Sequence, residues 1–218
     1  MDLQIKSIQS DVDKLHYNYG SPELQSVYGA GEIYSPELCL IFMNPTSKNI
    51  STSKNWRGFR APWLGTKNIW NLLYKLEILD DEKLLSKINS YEPFEWSYDF
   101  CLEVYTHVRN KSVYITNLAK CTQLDARPIS NKIYKEFLPL MKNELLILKP
   151  KKVITFGNQV SSILLEKATS VSQYPTNQSE RLKISEDSEI EVYPTFYPIG
   201  QGTPNISKAI SRIRYILE

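Results

Sequence analysis

Four short runs of apolar and β-branched residues are spaced along the chain, at residues 38–43, 113–116, 152–156 and 190–196. Each run is nearly continuous rather than strictly alternating. This is typical of strands that are covered on both faces of a parallel sheet. The pattern therefore predicts four buried strands.

Helical periodicity separates these runs. Residues 68–79 and 131–148 repeat their apolar positions every three to four residues, as expected for helices with one buried face. Residues 168–189 are polar and interrupted by proline, which predicts a surface loop. The alternation of strands and helices predicts an α/β fold with three layers, α/β/α, around a short, mainly parallel four-stranded sheet.

Length and composition narrow the class of protein. A chain of 218 residues is expected to form one domain, in which residues 1–35 make an N-terminal helical extension packed on the rest. No apolar run approaches the roughly 20 residues that span a bilayer, and the amino end lacks a secretory pattern. We expect a cytoplasmic monomer with no membrane association. The net charge of +2 leaves a nucleic-acid partner open.

Asparagine, proline and glycine follow the predicted strands. The strand exits read Asn44-Pro45, Asn117-Leu118, Gly157-Asn158 and Tyr197-Pro198. In an open parallel sheet the ligand crevice lies at the carboxyl ends of the strands. These exits are therefore the predicted site.

The exits and one further segment are similar, in order and spacing, to motifs of the uracil-DNA glycosylase superfamily. Residues 42–46, Phe-Met-Asn-Pro-Thr, resemble the Gly-X-Asn-Pro-Gly motif of its mismatch-specific and single-strand-selective branches. Residues 61–65, Ala-Pro-Trp-Leu-Gly, resemble Arg-Pro-Phe-Val-Gly of the thermostable, family 4-like branch. Residues 114–121 are similar to Ile-Thr-Asn-Val-Val-Lys-Cys of that branch, and residues 197–203 take the place of the His-Pro-Ser loop.

This resemblance covers residues 36–217 and implies roles for the matching residues. Asn44 would orient the attacking water, Trp63 would stack on a flipped base, and Asn117 would read the uracil edge. Met43, beside Asn44, is assigned to the base pocket. The implied partner is single- or double-stranded DNA that contains uracil or a related deaminated base.

The last motif departs from the family pattern. Tyr197 stands where highly active members have histidine, and Ile199 replaces the serine. Tyr197 can still donate one neutral hydrogen bond to a developing anion, so we keep it as a second catalytic candidate. Gly200, Gly202 and Thr203 precede the final helix, with Thr203 as its predicted N-cap, and are candidates for binding a DNA phosphate.

Metal ligands are sparse in the sequence. The three cysteines lack CxxC spacing, and only Cys121 matches a ligand of the iron–sulfur cluster of the thermostable branch. We predict no cluster, no other metal and no cofactor. The two histidines, His16 and His107, are interpreted as surface or core residues.

The chemistry of base removal suits these residues. A base in a duplex must be extruded before it can be held by stacking and by its hydrogen-bonding edge. A carboxamide such as that of Asn117 can accept from uracil N3–H and donate to O4, which a carboxylate cannot do. Asn44 can orient a water but cannot take its proton, so hydrolysis should be slower than in members with Asp or Glu there.

Three functions remain open from the sequence. The first is a DNA-repair hydrolase that excises uracil or a related base, and the second is a non-catalytic nucleobase or nucleic-acid binding protein of the same fold. The third is a small-molecule α/β hydrolase or transferase. A basic loop favours nucleic acid only weakly, because a solvated basic loop is the commoner explanation. The loop contains Lys48, Lys54, Arg57 and Arg60, with Trp56 and Phe59 between them.

Overall fold

The computed structural model describes residues 3–127 and 129–218, without the side chain of Gln201. Within these residues the helices are α1 (Leu3–Tyr19), α2 (Asn68–Lys75), α3 (Glu82–Ser90), α4 (Tyr98–Asn110), α5 (Asn131–Leu148), α6 (Asn158–Leu164) and α7 (Ile206–Leu217). The strands are β1 (Ala30–Gly31), β2 (Leu38–Phe42), β3 (Val113–Asn117), β4 (Lys152–Phe156), β5 (Glu180–Ser185) and β6 (Ser188–Thr195).

The α/β class and the central parallel sheet are confirmed. The strands lie in the order β1-β3-β2-β4-β6-β5. The four predicted strands, β2, β3, β4 and β6, pair in parallel, so their carboxyl ends lie at one edge. The described residues add two antiparallel strands, β1 beside β3 and β5 beside β6, so the sheet has six strands rather than four.

The prediction of a loop throughout residues 168–189 is wrong for β5. This strand carries charged residues at three of its six positions, and only Leu182 is buried. A two-residue turn, Glu186-Asp187, joins it to β6. Charged side chains are typical of edge strands, because they discourage pairing with another chain. They also remove the apolar signal by which a strand is predicted.

The two faces of the sheet bury separate apolar cores. Along β2, Leu38, Leu40 and Phe42 point into a core with α2, α3, α4 and α7. Cys39 and Ile41 point the other way, into a core with α1, α5 and α6. Side chains alternate in this way because successive Cβ atoms of a strand point to opposite faces. The three-layer prediction is therefore confirmed.

Two predicted helix boundaries are wrong. Helix α2 ends at Lys75 instead of residue 79, and Glu77 just beyond it has a positive φ of 58°. Thr203 does not cap α7: its hydroxyl donates to the Gly200 carbonyl at 2.7 Å, inside a short 3₁₀ helix, Gly200–Asn205. Helix α7 begins only after Asn205, whose side chain makes no capping bond.

Candidate functional site

The exits of β2 and β3 are hydrogen-bonded to each other beyond the ends of the strands. The Leu118 N–H donates to the Phe42 carbonyl at 2.8 Å, and the Ala119 N–H donates to the Met43 carbonyl at 3.2 Å. Farther on, the Gln123 N–H reaches the Pro45 carbonyl at 3.1 Å. The loop that carries Asn44 therefore lies against the loop that follows Asn117.

Asn117 ends β3 on the face of the sheet that bears Phe42, its register partner. The residue is 3% exposed, and its Oδ1 atom has no hydrogen-bond partner among the described residues. A buried polar atom left unpaired costs about 1–3 kcal/mol, so such atoms are rare and call for an explanation. A ligand that donates a hydrogen bond to Oδ1 would remove this cost.

Trp63 lies beside Phe42. The two rings meet edge to face, with centroids 5.0 Å apart, and Phe42 in turn stacks on Phe156 at 4.4 Å. The register partner of Asn117 is thus also the ring against which Trp63 packs. The indole Nε1 of Trp63 is buried and, within the described residues, has no partner.

The backbone of Trp63 is strained. Its φ is +65°, a left-handed conformation that is a true outlier for a bulky residue. Such strain costs about 1–3 kcal/mol and persists only where the surroundings impose it. Strained residues cluster at ligand sites, and Trp63 fits that pattern.

Hydrogen bonds to four consecutive backbone carbonyls, those of residues 61–64, hold the chain in this conformation. The Ala61 carbonyl accepts from the side chains of Asn49 at 2.7 Å and Ser51 at 3.0 Å, and the Pro62 carbonyl accepts from the hydroxyl of Tyr105 at 2.7 Å. The Trp63 carbonyl accepts from the indole of Trp70 at 3.2 Å, and the Leu64 carbonyl accepts from the Ile50 N–H at 3.0 Å. None of these partners carried a functional signal in the sequence.

Asn44 is held by a tyrosine that sequence reasoning missed. Its Oδ1 accepts a hydrogen bond from the Tyr134 hydroxyl at 2.8 Å, and its Nδ2 donates to the Pro45 carbonyl at 3.2 Å. Tyr134 lies on α5 and is fully buried, and burial raises the pKa of its phenol. In the sequence this residue looks like part of the apolar face of a helix.

Tyr197 follows β6 at the same edge of the sheet. It is partly buried, burial raises the pKa of its phenol, and it lies close enough to Tyr134 to raise the pKa of that phenol further. Gly202 lies against it: a Cβ atom at position 202 would be 1.9 Å from the Tyr197 carbonyl oxygen. At neutral pH the Tyr197 hydroxyl is therefore a neutral hydrogen-bond donor.

Not every predicted site residue joins this group. Met43 packs into the core on the face opposite Phe42 and Trp63. Gly200 and Thr203 lie exposed in the 3₁₀ helix before α7, with a φ of +59° at Gly200. Phosphate binding at Gly200, Gly202 and Thr203 stays a prediction.

The basic loop divides into structural and exposed residues. The Arg60 guanidinium forms two hydrogen bonds to the Asp13 carboxylate, at 3.1 and 3.0 Å, and lies 4.0 Å from the ring centre of Tyr28. The rings of Trp56 and Phe59 pack on the core. Lys48, Lys54 and Arg57 remain exposed.

The three cysteines are protonated thiols at neutral pH, because burial raises the pKa of each one. All three cysteines are buried and unpaired by disulfides, and burial raises the pKa of Cys121 to about 11. The described residues contain no group of three His, Cys, Asp or Glu side chains placed to hold a metal. None of the described helices is long and apolar enough to cross a membrane.

The chain is similar to a known protein family. No curated protein matches the chain. A family model described as the uracil DNA glycosylase superfamily matches residues 29–206, which include Asn44, Trp63, Asn117 and Tyr197. The chain therefore belongs to the uracil DNA glycosylase superfamily.

Proposed function

We propose that the protein extrudes uracil, or a related deaminated base, from DNA and hydrolyses its N-glycosidic bond without a cofactor. The observation that carries this proposal is the buried, unpartnered Oδ1 of Asn117, on the sheet face shared with Phe42 and Trp63. Family membership supports the same class of chemistry. The proposal also makes Asn44 and Tyr197 the catalytic residues.

Asn117 would select the base. Uracil N3–H would donate to Oδ1, and the amide Nδ2 would donate to O4. Cytosine presents an acceptor at N3 and a donor at its amino group, so both pairings would fail. Two lost hydrogen bonds amount to about 2–3 kcal/mol, or roughly 30- to 150-fold in affinity.

Asn44 would place the attacking water. Its Oδ1 already accepts from Tyr134, which fixes the amide, and a second lone pair on that oxygen is available to a water. An amide cannot take the proton of this water. Catalysis would therefore depend on orientation and on stabilisation of the uracil anion, to which neutral Tyr197 would donate one hydrogen bond.

DNA would bind along the carboxyl edge of the sheet. Lys48 follows the Asn44 loop and is exposed, and Leu124, in the loop after β3, is 53% exposed. The Leu124 carbonyl accepts from the Ser47 hydroxyl at 2.6 Å, which joins the two loops. This rim offers a cation for the phosphate backbone and an apolar side chain beside the base site.

A non-catalytic binding protein is the second candidate. One observation favours it: the side chains gathered at the strand exits, Asn44, Asn117 and Tyr197, are all neutral, and none can act as a general base near pH 7. Such a protein would bind uracil-containing or abasic DNA and release no base.

The test is excision from a uracil-containing oligonucleotide, detected as strand breaks after alkali, for the wild type and for Asn117→Leu. Leucine keeps the branched shape of the side chain but removes the unpaired oxygen. We expect Asn117→Leu to lose excision roughly 30- to 150-fold while its free energy of unfolding stays equal or rises by about 1 kcal/mol.

The matched control is Asn110→Leu, at the exposed end of α4, which should excise as the wild type does. Tight binding of uracil DNA by the wild type without strand breaks would select the binding protein. Absence of both binding and breaks at low salt would refute the proposal, because phosphate contacts strengthen as salt falls.

Trp63 provides a separate prediction on stacking. We expect Trp63→Ala to weaken binding of uracil DNA by about 1–3 kcal/mol, the usual loss for one base–aromatic stack, whereas Trp63→Phe keeps most of it. Trp63→Gly should bind as weakly as Trp63→Ala but unfold with a free energy about 1 kcal/mol higher, because glycine accepts the positive φ. Equal affinity of Trp63→Ala and the wild type would exclude the ring from the base site.

A further inference from the structure

An N-terminal segment, residues 3–28, lies outside the range matched by the family model, which begins at residue 29. It consists of α1 and the extended chain that follows it. This segment contacts both loops that carry the candidate site, the loop after β3 and the loop before Trp63. It therefore bears on the site although it contributes no residue to it.

The loop after β3 is bound by the N-terminal segment through its backbone and side chains. The Ser21 N–H donates to the Thr122 carbonyl at 2.9 Å, and the Val27 N–H donates to the Lys120 carbonyl at 3.2 Å. In return, the Thr122 hydroxyl donates to the Gln25 carbonyl at 2.6 Å. These bonds fix the chain within a few residues of Asn117.

The loop before Trp63 is bound by the same few residues. The Gln25 N–H donates to the Thr52 carbonyl at 2.8 Å, and its side-chain amide donates to the carbonyls of Ser51 and Ser53, both at 3.0 Å. Arg60, near the end of this loop, is paired with Asp13 of α1. Gln25 thus lies between the two loops and is bonded to both.

His16 joins α1 to this arrangement. Its Nδ1 accepts from the Thr122 N–H at 3.2 Å, so the ring proton is on Nε2, which donates to the Leu24 carbonyl at 3.0 Å. Both nitrogens of the neutral imidazole are therefore used. The ring rests on Gly20, where an added Cβ would lie 2.3 Å from Nδ1.

We propose that the N-terminal segment positions the two loops of the base site and that neutral His16 is the positioning residue on which this depends. A protonated imidazole cannot accept from the Thr122 N–H, because both of its nitrogens carry protons. Protonation of His16 would then release the loop after β3 from α1, and Asn117 and Trp63 would lose their relative placement.

The charges around His16 agree with a neutral ring. Burial lowers the pKa of His16, although the Leu24 carbonyl and the Asp13 carboxylate act to raise it. The cations facing it, Arg60 and Lys54, lower it further. When the loop opens, His16 returns to its ordinary pKa near 6.5. Below about pH 6.5 opening is therefore coupled to the uptake of one proton by His16, which favours the open loop. This pH dependence levels off below the lowered pKa of His16 in the native structure.

Hydrogen exchange of the whole protein at pH 7.5 and pH 5.0, corrected for the intrinsic pH dependence of exchange, tests this. We expect protection of peptides 51–60 and 118–124 to fall roughly tenfold at the lower pH, since one proton is bound on opening. A peptide covering α4 should keep its protection. His16→Asn should show no such fall, because its amide oxygen is an acceptor in the place of Nδ1 and the amide does not titrate.

His107→Asn is the matched control, because the chain has only two histidines and His107 faces Asp80 and Asp81 on the other side of the sheet. It should keep the wild-type dependence on pH. If His16→Asn is too unstable, Asp13→Asn should lower protection of peptide 51–60 at pH 7.5 by freeing Arg60. Equal loss in α4, or an unchanged fall in His16→Asn, would overturn the inference.

The consequence for activity rests on the proposed function. The rate of uracil excision relative to pH 7.5 should fall at pH 5.0 in the wild type and His107→Asn but not in His16→Asn. If hydrogen exchange changes with pH as expected but no uracil is excised at any pH, the proposed function is refuted and the positioning role of His16 still holds. Excision with the same pH profile in all three proteins would refute the positioning role alone.

Discussion

Replacing Asn44 with aspartate is expected to raise the rate of uracil excision roughly 100-fold at pH 7.5, the lower end of what a positioned general base contributes. The wild-type amide orients a water but leaves its proton in place. An aspartate would occupy the same position, keep the hydrogen bond from Tyr134, and accept that proton. The gain should therefore appear in the single-turnover rate and not in the affinity for DNA.

The pH profile distinguishes this explanation from a general loosening of the site. Asn44→Asp should acquire a loss of rate at low pH, as the new carboxylate is protonated, whereas Asn44→Ala should be slower than the wild type at every pH. Asn110→Asp on the exposed end of α4 serves as the charge control. A rate for Asn44→Asp at or below that of the wild type would remove Asn44 from the place of the attacking water.

Replacing Lys120 with methionine is expected to lower the free energy of unfolding by about 3–5 kcal/mol, the usual cost of leaving a buried charge unpaired. The Lys120 ammonium lies 2.6 Å from the Glu144 carboxylate, and both side chains are 4% exposed. Glu144 also accepts from the Tyr114 hydroxyl at 2.7 Å. Without the lysine, that hydroxyl and more distant contacts with Thr116 would be its remaining partners.

Thermal unfolding measures this loss as a fall in Tm of roughly 10 °C, given about 2–4 °C per kcal/mol for a chain of this size. Adding Glu144→Gln should restore most of the loss, because the amide carries no charge and still accepts from Tyr114. Lys151→Met, from a surface pair with Glu37 that is more than half exposed, should change the free energy of unfolding by less than about 1 kcal/mol. A similarly small change for Lys120→Met would mean that the buried pair does not stabilise the fold.

The family motifs were visible in the sequence because their residues are close together in the chain and follow strong strand signals. Asn44 and Asn117 stand at the ends of apolar runs, and parallel strands must bring such ends to one edge. The geometry agrees with that expectation through the pairing of Phe42 with Asn117. The residues that hold these two loops could not be predicted from the sequence. Tyr134 and His16 come from helices that are remote in the chain, and they look like ordinary members of an amphipathic pattern.

By itself the sequence determined the α/β class, the four parallel strands and the strand exits that carry the candidate site, since all of these follow from local hydrophobic periodicity. Only the tertiary structure decided that Trp63 is held with a positive φ beside Phe42, that Asn117 keeps a buried oxygen unpaired, and that residues 3–28 bind both loops. These features depend on hydrogen bonds and ring contacts between distant segments. Local sequence patterns do not predict such contacts, because the burial and the hydrogen-bond partners of a residue are determined only when the chain packs.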